Sequence, residues 1–149
     1  MVKTADLLDS FSKANILVVG DVMIDRYLTG KVDRVSPEAP VPVVQLKNVE
    51  NRLGGAANVA LNLKALGATP YLCSVIGKDD SAKLFLDLLP NNGLSTKGIV
   101  QSSHRRTTVK TRVLAQNQHL LRVDTEDMLT HLGITLTFNH LDYLPQPNL

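Results

Sequence analysis

The stretch Gly54–Ile76, GGAANVALNLKALGATPYLCSVI, decides the fold class. After the two glycines, Ala56, Val59, Ala60, Leu63 and Leu66 recur at helical spacing, and Gly67 supplies a stop just beyond Leu66. Tyr71-Leu72-Cys73-Ser74-Val75-Ile76 is then a compact, mostly apolar run that reads as a buried strand. A helix leading straight into such a strand is the second half of a βαβ unit. The first half lies upstream, where Ile16-Leu17-Val18-Val19 forms another apolar run closed by Gly20-Asp21, a buried strand ending in a turn.

The same rhythm continues downstream. Asp79 or Asp80 caps a second helix carrying Ala82, Phe85, Leu86 and Leu89, Pro90-Asn91-Asn92-Gly93 breaks it, and Lys97–Val100 is a short strand. Strand, helix, strand, helix, strand argues a parallel sheet with covering helices, an α/β fold. Leu7, Leu8 and Phe11 line one face of a short leading helix.

Two segments depart from this rhythm. Ser36-Pro37-Glu38-Ala39-Pro40-Val41-Pro42 is predicted to be extended, and its prolines exclude a central strand, with Val43–Leu46 continuing as an edge strand. From Arg106 the period switches to two. Thr108–Leu114 and His119–Asp124 alternate across Gln116-Asn117-Gln118, a β-hairpin whose apolar face is Val109, Val113, Leu121 and Val123. With Asn117 at the turn centre, Arg112 lies opposite Arg122 and Lys110 opposite Asp124. Like charges facing each other destabilise a sheet, so either both arginines splay into water or this face waits for an anion. After Met128, Leu132, Ile134 and Leu136 alternate, and the chain closes on Pro145-Gln146-Pro147 without a coherent element.

Composition excludes several classes. Hydrophobic residues make up 44% and charged residues 20% of 149, the balance of a folded soluble domain. A formal net charge of +2 is too small to argue for nucleic acid or an anionic membrane. The single cysteine, Cys73, offers neither a disulfide framework nor a zinc spacing and reads as a small core hydrophobe. Met1–Asn15 lacks the continuous apolar stretch of a signal peptide, and no later run is long enough to span a bilayer, which predicts a cytoplasmic protein.

Two clusters could carry chemistry. Gly54-Gly55-Ala56-Ala57-Asn58 opens a helix where backbone can approach a ligand closely and free N–H groups favour oxygen-rich or anionic partners. Asn58 can both donate to and accept from hydroxyls, although a plain tight turn is the commoner reason for paired glycines. Asp21 and Asp25 follow the first strand, and ligands of open α/β sheets bind beyond carboxyl ends of strands; a carboxylate accepts from two hydroxyls at once. Gly77-Lys78-Asp79 lacks the upstream glycine and following Ser/Thr of a P-loop, and no Gly-x-Gly-x-x-Gly occurs.

Val18–Tyr27, Arg34–Val43, Gly54–Ala60 and Thr107–Gln118 together resemble the heptose-7-phosphate kinase branch of the PfkB, ribokinase-like sugar kinases. The Gly-Gly-x-x-Asn block is widespread among PfkB kinases, whereas Ser-Pro-Glu-Ala-Pro-Val-Pro and the hairpin are specific to this branch. The resemblance covers about Ala14 to Asp124. It implies a ribokinase-like, incomplete parallel sheet with a small β lid, the lid strands falling near 27–47 and 106–124, the kinase part ending near 125 and residues 126–149 forming a divergent tail. By the same resemblance, Asp25, Gly54, Gly55 and Asn58 hold the sugar. Lys110, Arg112 and Arg122 on the lid are the candidates for the phosphate of a phosphorylated sugar.

The implied activity is ATP-dependent phosphorylation of heptose 7-phosphate in ADP-heptose synthesis for lipopolysaccharide, with ATP and Mg2+ as the full-length family's cofactors and a homodimer contact through the lid. The family's Gly-Ala-Gly-Asp motif, whose Asp is the general base, is missing: after Gly98 the only glycine is Gly133. No catalytic residue and no metal ligand is therefore assigned, and most of the ATP site is expected to be absent. The rival expectations are an inactive remnant or lid-mediated dimerisation partner, and a PfkB kinase for fructose 6-phosphate, ribose or a nucleoside.

Overall fold

A computed structural model describes residues 10–116 and 118–127. The chain runs β1 (Asn15–Val19), β2 (Val22–Val35), β3 (Pro42–Gly55), α1 (Ala56–Ala65), β4 (Thr69–Ile76), α2 (Asp80–Asn91), β5 (Ile99–Gln101), β6 (Val109–Ala115) and β7 (Gln118–Thr125). Leu7, Leu8, Leu132, Ile134 and Leu136, on which expectations were placed above, lie outside the described residues.

Two sheets divide the work. β1, β4 and β5 form a parallel sheet in the order β1-β4-β5, with Val19 opposite Cys73 and Val75 opposite Val100. This is the α/β unit read from Gly54–Ile76, with α1 as its crossover. β3-β2-β6-β7 form the second sheet, in which β2 runs antiparallel to β3 and parallel to β6, and β6 antiparallel to β7. Its strands β2 and β3 are inserted between β1 and α1, β3 ending at Gly55 where the helix begins at Ala56, and β6 and β7 follow β5.

The core sits where the sheets meet the helices. Phe85, Leu89 and Ala82 of α2, Ala57 and Ala60 of α1, Leu72 and Ile76 of β4, and Val22, Ile24, Leu53 and Val109 of the second sheet form one buried cluster. Burying a Phe or Leu of this kind stabilises by roughly 1.5–3 kcal/mol. Asp79 is the cap of α2, its carboxylate accepting from the Ala82 N–H at 2.8 Å. Cys73 is buried, and burial pushes its thiol pKa up, which keeps it protonated.

Several expectations need correction. β1 is not a buried strand among the described residues, since Val19 is 55% exposed and Leu17 is exposed too. The buried face of α1 is Ala57 and Ala60 with Leu61 packed beside them, whereas Val59 and Leu66 are exposed. Alanines let the helix backbone come close to the sheet, and helical geometry then turns Val59 outward. The Pro-rich run is not extended. Ser36–Val41 bends back on itself, the Ser36 N–H bonding to the Val41 carbonyl at 2.8 Å, and Pro42 begins β3. β3, whose one proline, Pro42, is its first residue, is an edge strand. The second sheet extends beyond the segments 27–47 and 106–124, because β2 and β3 pair from Val22–Gly55 to Val35–Pro42, with register shifts after Thr29 and Val32.

Register sorts the second sheet into two faces. Asp25 and Tyr27 share one face with Arg52 and Glu50 of β3, Lys110 and Arg112 of β6, and Asp124 and Arg122 of β7. Ile24 and Leu28 share the other with Leu53, Val49, Val109, Val113, Leu121 and Val123. One face is charged and the other is apolar apart from Arg26, Asn51 and Thr111.

Candidate functional site

The charged face meets the start of α1, and there the structure gathers Asp25, Gly54 and Gly55. Asp25 does not lie in a loop beyond the first strand; the chain turns at Gly20-Asp21 and restarts as β2, which carries Asp25 as its fourth residue. In register it stands between Arg52 and Lys110. The Arg112 Nη1 donates to Asp25 Oδ1, and both side chains are about three-quarters buried. The hydrogen bond to Asp25 raises the pKa of Arg112, so the guanidinium is a fixed charge that orients the carboxylate.

The other carboxylate oxygen lies over Gly54. A Cβ at Gly54 would stand 2.9 Å from Asp25 Oδ2 and 2.8 Å from Met23 Cγ, so only glycine leaves this oxygen its place. Gly55 has φ +61 and is the N-cap of α1 with no side-chain cap, and the Ala56 N–H bonds to the Asp21 carbonyl at 2.9 Å. Free N–H groups of the first turn are thus left for an oxygen ligand. Asn58 is exposed on that turn. A carboxylate, a bare helix start and an amide suit a polyol.

The hairpin register is the expected one: Arg112 faces Arg122 and Lys110 faces Asp124. The unpartnered basic face is not observed. Arg112 is taken by Asp25, Arg122 reaches Asp124 at 3.0 Å, and Lys110 lies 3.6 Å from both Asp124 and Glu126. The like charges are relieved by carboxylates on the same face, which the hairpin sequence taken alone did not reveal.

Three further groups escaped sequence reasoning. Tyr27 lies under two guanidiniums, Arg52 at 4.7 Å and Arg112 at 5.4 Å from its ring centre. Its alternation with Asp25 on β2 was the available signal. Asp79 does more than cap α2, because its second oxygen accepts from the Thr107 N–H at 2.8 Å and so ties α2 to the loop entering β6. Burial pushes the Asp79 pKa up, but the Thr107 and Ala82 N–H groups outweigh it and hold the carboxyl below its ordinary value. Arg105, in that loop, reaches Asp21 at 3.6 Å.

The pfkB family carbohydrate kinase model matches residues 13–147. The chain belongs to this family. Among curated relatives of this pfkB chain, the bifunctional protein HldE of Helicobacter pylori is 47% identical over 131 residues, 88% of the chain but 28% of the relative. HldE of Klebsiella pneumoniae is 48% identical over 120 residues, covering 80% of the chain and 25% of the relative. The chain therefore spans under a third of the relatives it matches. The ribokinase of Cryptococcus neoformans, solved in complex with ADP, superposes with a TM-score of 0.52 at 21% identity over 76% of the chain and 34% of that structure. The fold is thus ribokinase-like, as the sequence motifs implied. Among the described residues no helix is long and apolar enough to cross a membrane.

Proposed function

We propose that this chain supplies the sugar site and lid of a kinase that phosphorylates heptose 7-phosphate with ATP, in the synthesis of ADP-heptose. The observation that carries the reading is the Asp25 carboxylate, anchored by Arg112 and seated over Gly54 beside the uncapped start of α1. Asp25 would accept from two sugar hydroxyls, the first-turn N–H groups and Asn58 would hold further oxygens, and the lid would cover them. Identity near one half to HldE proteins supports heptose 7-phosphate over fructose 6-phosphate, ribose or a nucleoside. Calorimetric titration of the folded chain with heptose 7-phosphate tests the reading, and an absence of heat would defeat it.

ATP and Mg2+ belong to this reading as co-substrate and metal. Among the described residues no three His, Cys, Asp or Glu side chains gather to hold a metal ion, so these residues do not by themselves fit the Mg2+, and no step is derived through it. The sugar-holding unit in this reading ends near residue 125, and its place is the cytoplasm.

A second reading, self-association through the lid, rests on the apolar face of the second sheet. Leu121 is 59% and Val123 49% exposed, and Val123 lines an open depression with Leu28, Val49 and Val113, whose polar side is Arg26, Asn51 and Thr111. An exposed, largely apolar surface of this kind marks an interaction site, and a homodimer pairing lid with lid would cover it.

A further inference from the structure

A cavity of about 170 Å³ opens at the carboxyl ends of β1 and β4, lined by Gly20, Asp21, Cys73, Ser74 and Arg105. We infer that this cavity is an oxyanion site in which Arg105 receives the phosphate carried by the sugar. The inference deepens the sugar-kinase reading and rests on it for the identity of the ligand.

Arg105 is held for this task from both sides. Its side chain is 15% exposed, and its Nε–H is buried without any hydrogen-bond partner. A buried donor left unpaired is destabilising, and an oxygen that reached it would relieve that cost. Asp21 sits at 3.6 Å with a side chain 83% exposed, and Asp127 is a second carboxylate within electrostatic reach of Arg105. The backbone around Arg105 is pinned: the Gly77 N–H donates to the Thr107 hydroxyl at 3.0 Å and the Thr107 N–H to Asp79 at 2.8 Å. The loop that carries Arg105 is therefore fixed at Thr107 before any ligand arrives.

The surroundings favour an anion. The Ser74 hydroxyl already donates to the Gly20 carbonyl at 2.6 Å, and the Cys73 thiol is held neutral by burial, so neither adds competing negative charge. Asp21 joins the cavity to the start of α1 through its bond to the Ala56 N–H, which brings the positive end of that helix close. Lys110, Arg112 and Arg122 each hold a carboxylate already, so a phosphate would have to displace one. Arg105 offers an unused N–H instead. The side-on fork of Nε–H and Nη–H matches two phosphate oxygens.

Titrating the chain with heptose 7-phosphate, with heptose lacking the phosphate, and with inorganic phosphate tests this. The wild type should prefer heptose 7-phosphate over heptose by about tenfold or more, a charge-assisted pair. Arg105→Gln should erase that preference and leave heptose affinity unchanged. A preference that survives in Arg105→Gln overturns the inference and spares the sugar reading. Phosphate binding that depends on Arg105 without any heptose binding would do the reverse, and no binding of either would overturn both. Should Arg105→Gln fail to fold by thermal melting, the exposed Asp21→Asn substitution serves: removing the competing carboxylate should tighten phosphate by about threefold or more, and unchanged or weaker binding overturns the proposal.

Discussion

Asp79 is the residue on which the most separate pieces converge. One oxygen caps α2 through Ala82 and the other holds Thr107, fixing the loop that carries Arg105. Asp79→Ala should destabilise the chain by roughly 2–3 kcal/mol in urea unfolding, the sum of a lost cap and a lost charged hydrogen bond. The carboxyl's folded pKa lies below its unfolded value near ~3.9, so its stabilisation is complete above that value and disappears as pH falls through the folded pKa. The gap between wild type and Asp79→Ala should be constant near neutrality and narrow below about pH 4. The paired glycines should separate cleanly. Gly54→Ala pushes on Asp25 and Met23 and should weaken heptose 7-phosphate binding about tenfold with little change in melting temperature, since its strain falls on side chains. Gly55→Ala would drive a Cβ into the Asp21 carbonyl at φ +61 and should cost about 1–3 kcal/mol of stability, read by denaturant titration.

At the scale of elements, the hairpin β6–β7 shows how far local pattern carries. Alternation from Thr108 to Asp124 was enough to pair Arg112 with Arg122, and Lys110 with Asp124, because a strand's period of two leaves no choice of face. It could not show what lies across the sheet from Arg112, since Asp25 is 87 residues away in sequence. The helix α1 failed differently: Val59 and Leu66 match the helical period, yet the buried stripe is Ala57 and Ala60, chosen by how closely the helix approaches the sheets. The lid's apolar face carries its own prediction. Leu121→Glu together with Val123→Glu should lower any dimer fraction in sedimentation velocity and leave heptose 7-phosphate affinity unchanged, because both side chains point away from the Asp25 face. An unaltered dimer would remove lid-to-lid pairing.

At the scale of the molecule, a parallel α/β sheet and a mixed lid sheet share one core, and the proposed sugar site lies on their seam, where β3 becomes α1. Phosphoryl transfer needs positioned electrostatics around the moving group as well as a held sugar. The 149 residues contain no Gly-Ala-Gly-Asp motif. As an isolated polypeptide they should bind the sugar yet release no ADP above background in a coupled assay, and turnover dependent on heptose 7-phosphate would refute this. Strands β1, β4 and β5, both helices, the hairpin, a cap at Asp79 or Asp80, the edge position of β3 and the family were legible in the sequence, because each follows from contacts between near neighbours or from short motifs; the long strand β2 was not. The partner of Arg112, the seat of Asp25 above Gly54, the exposed faces of β1 and the lid, and the buried Nε of Arg105 were decided only by tertiary structure. They depend on which distant strands come to lie side by side, and neither periodicity nor charge order along the chain encodes that.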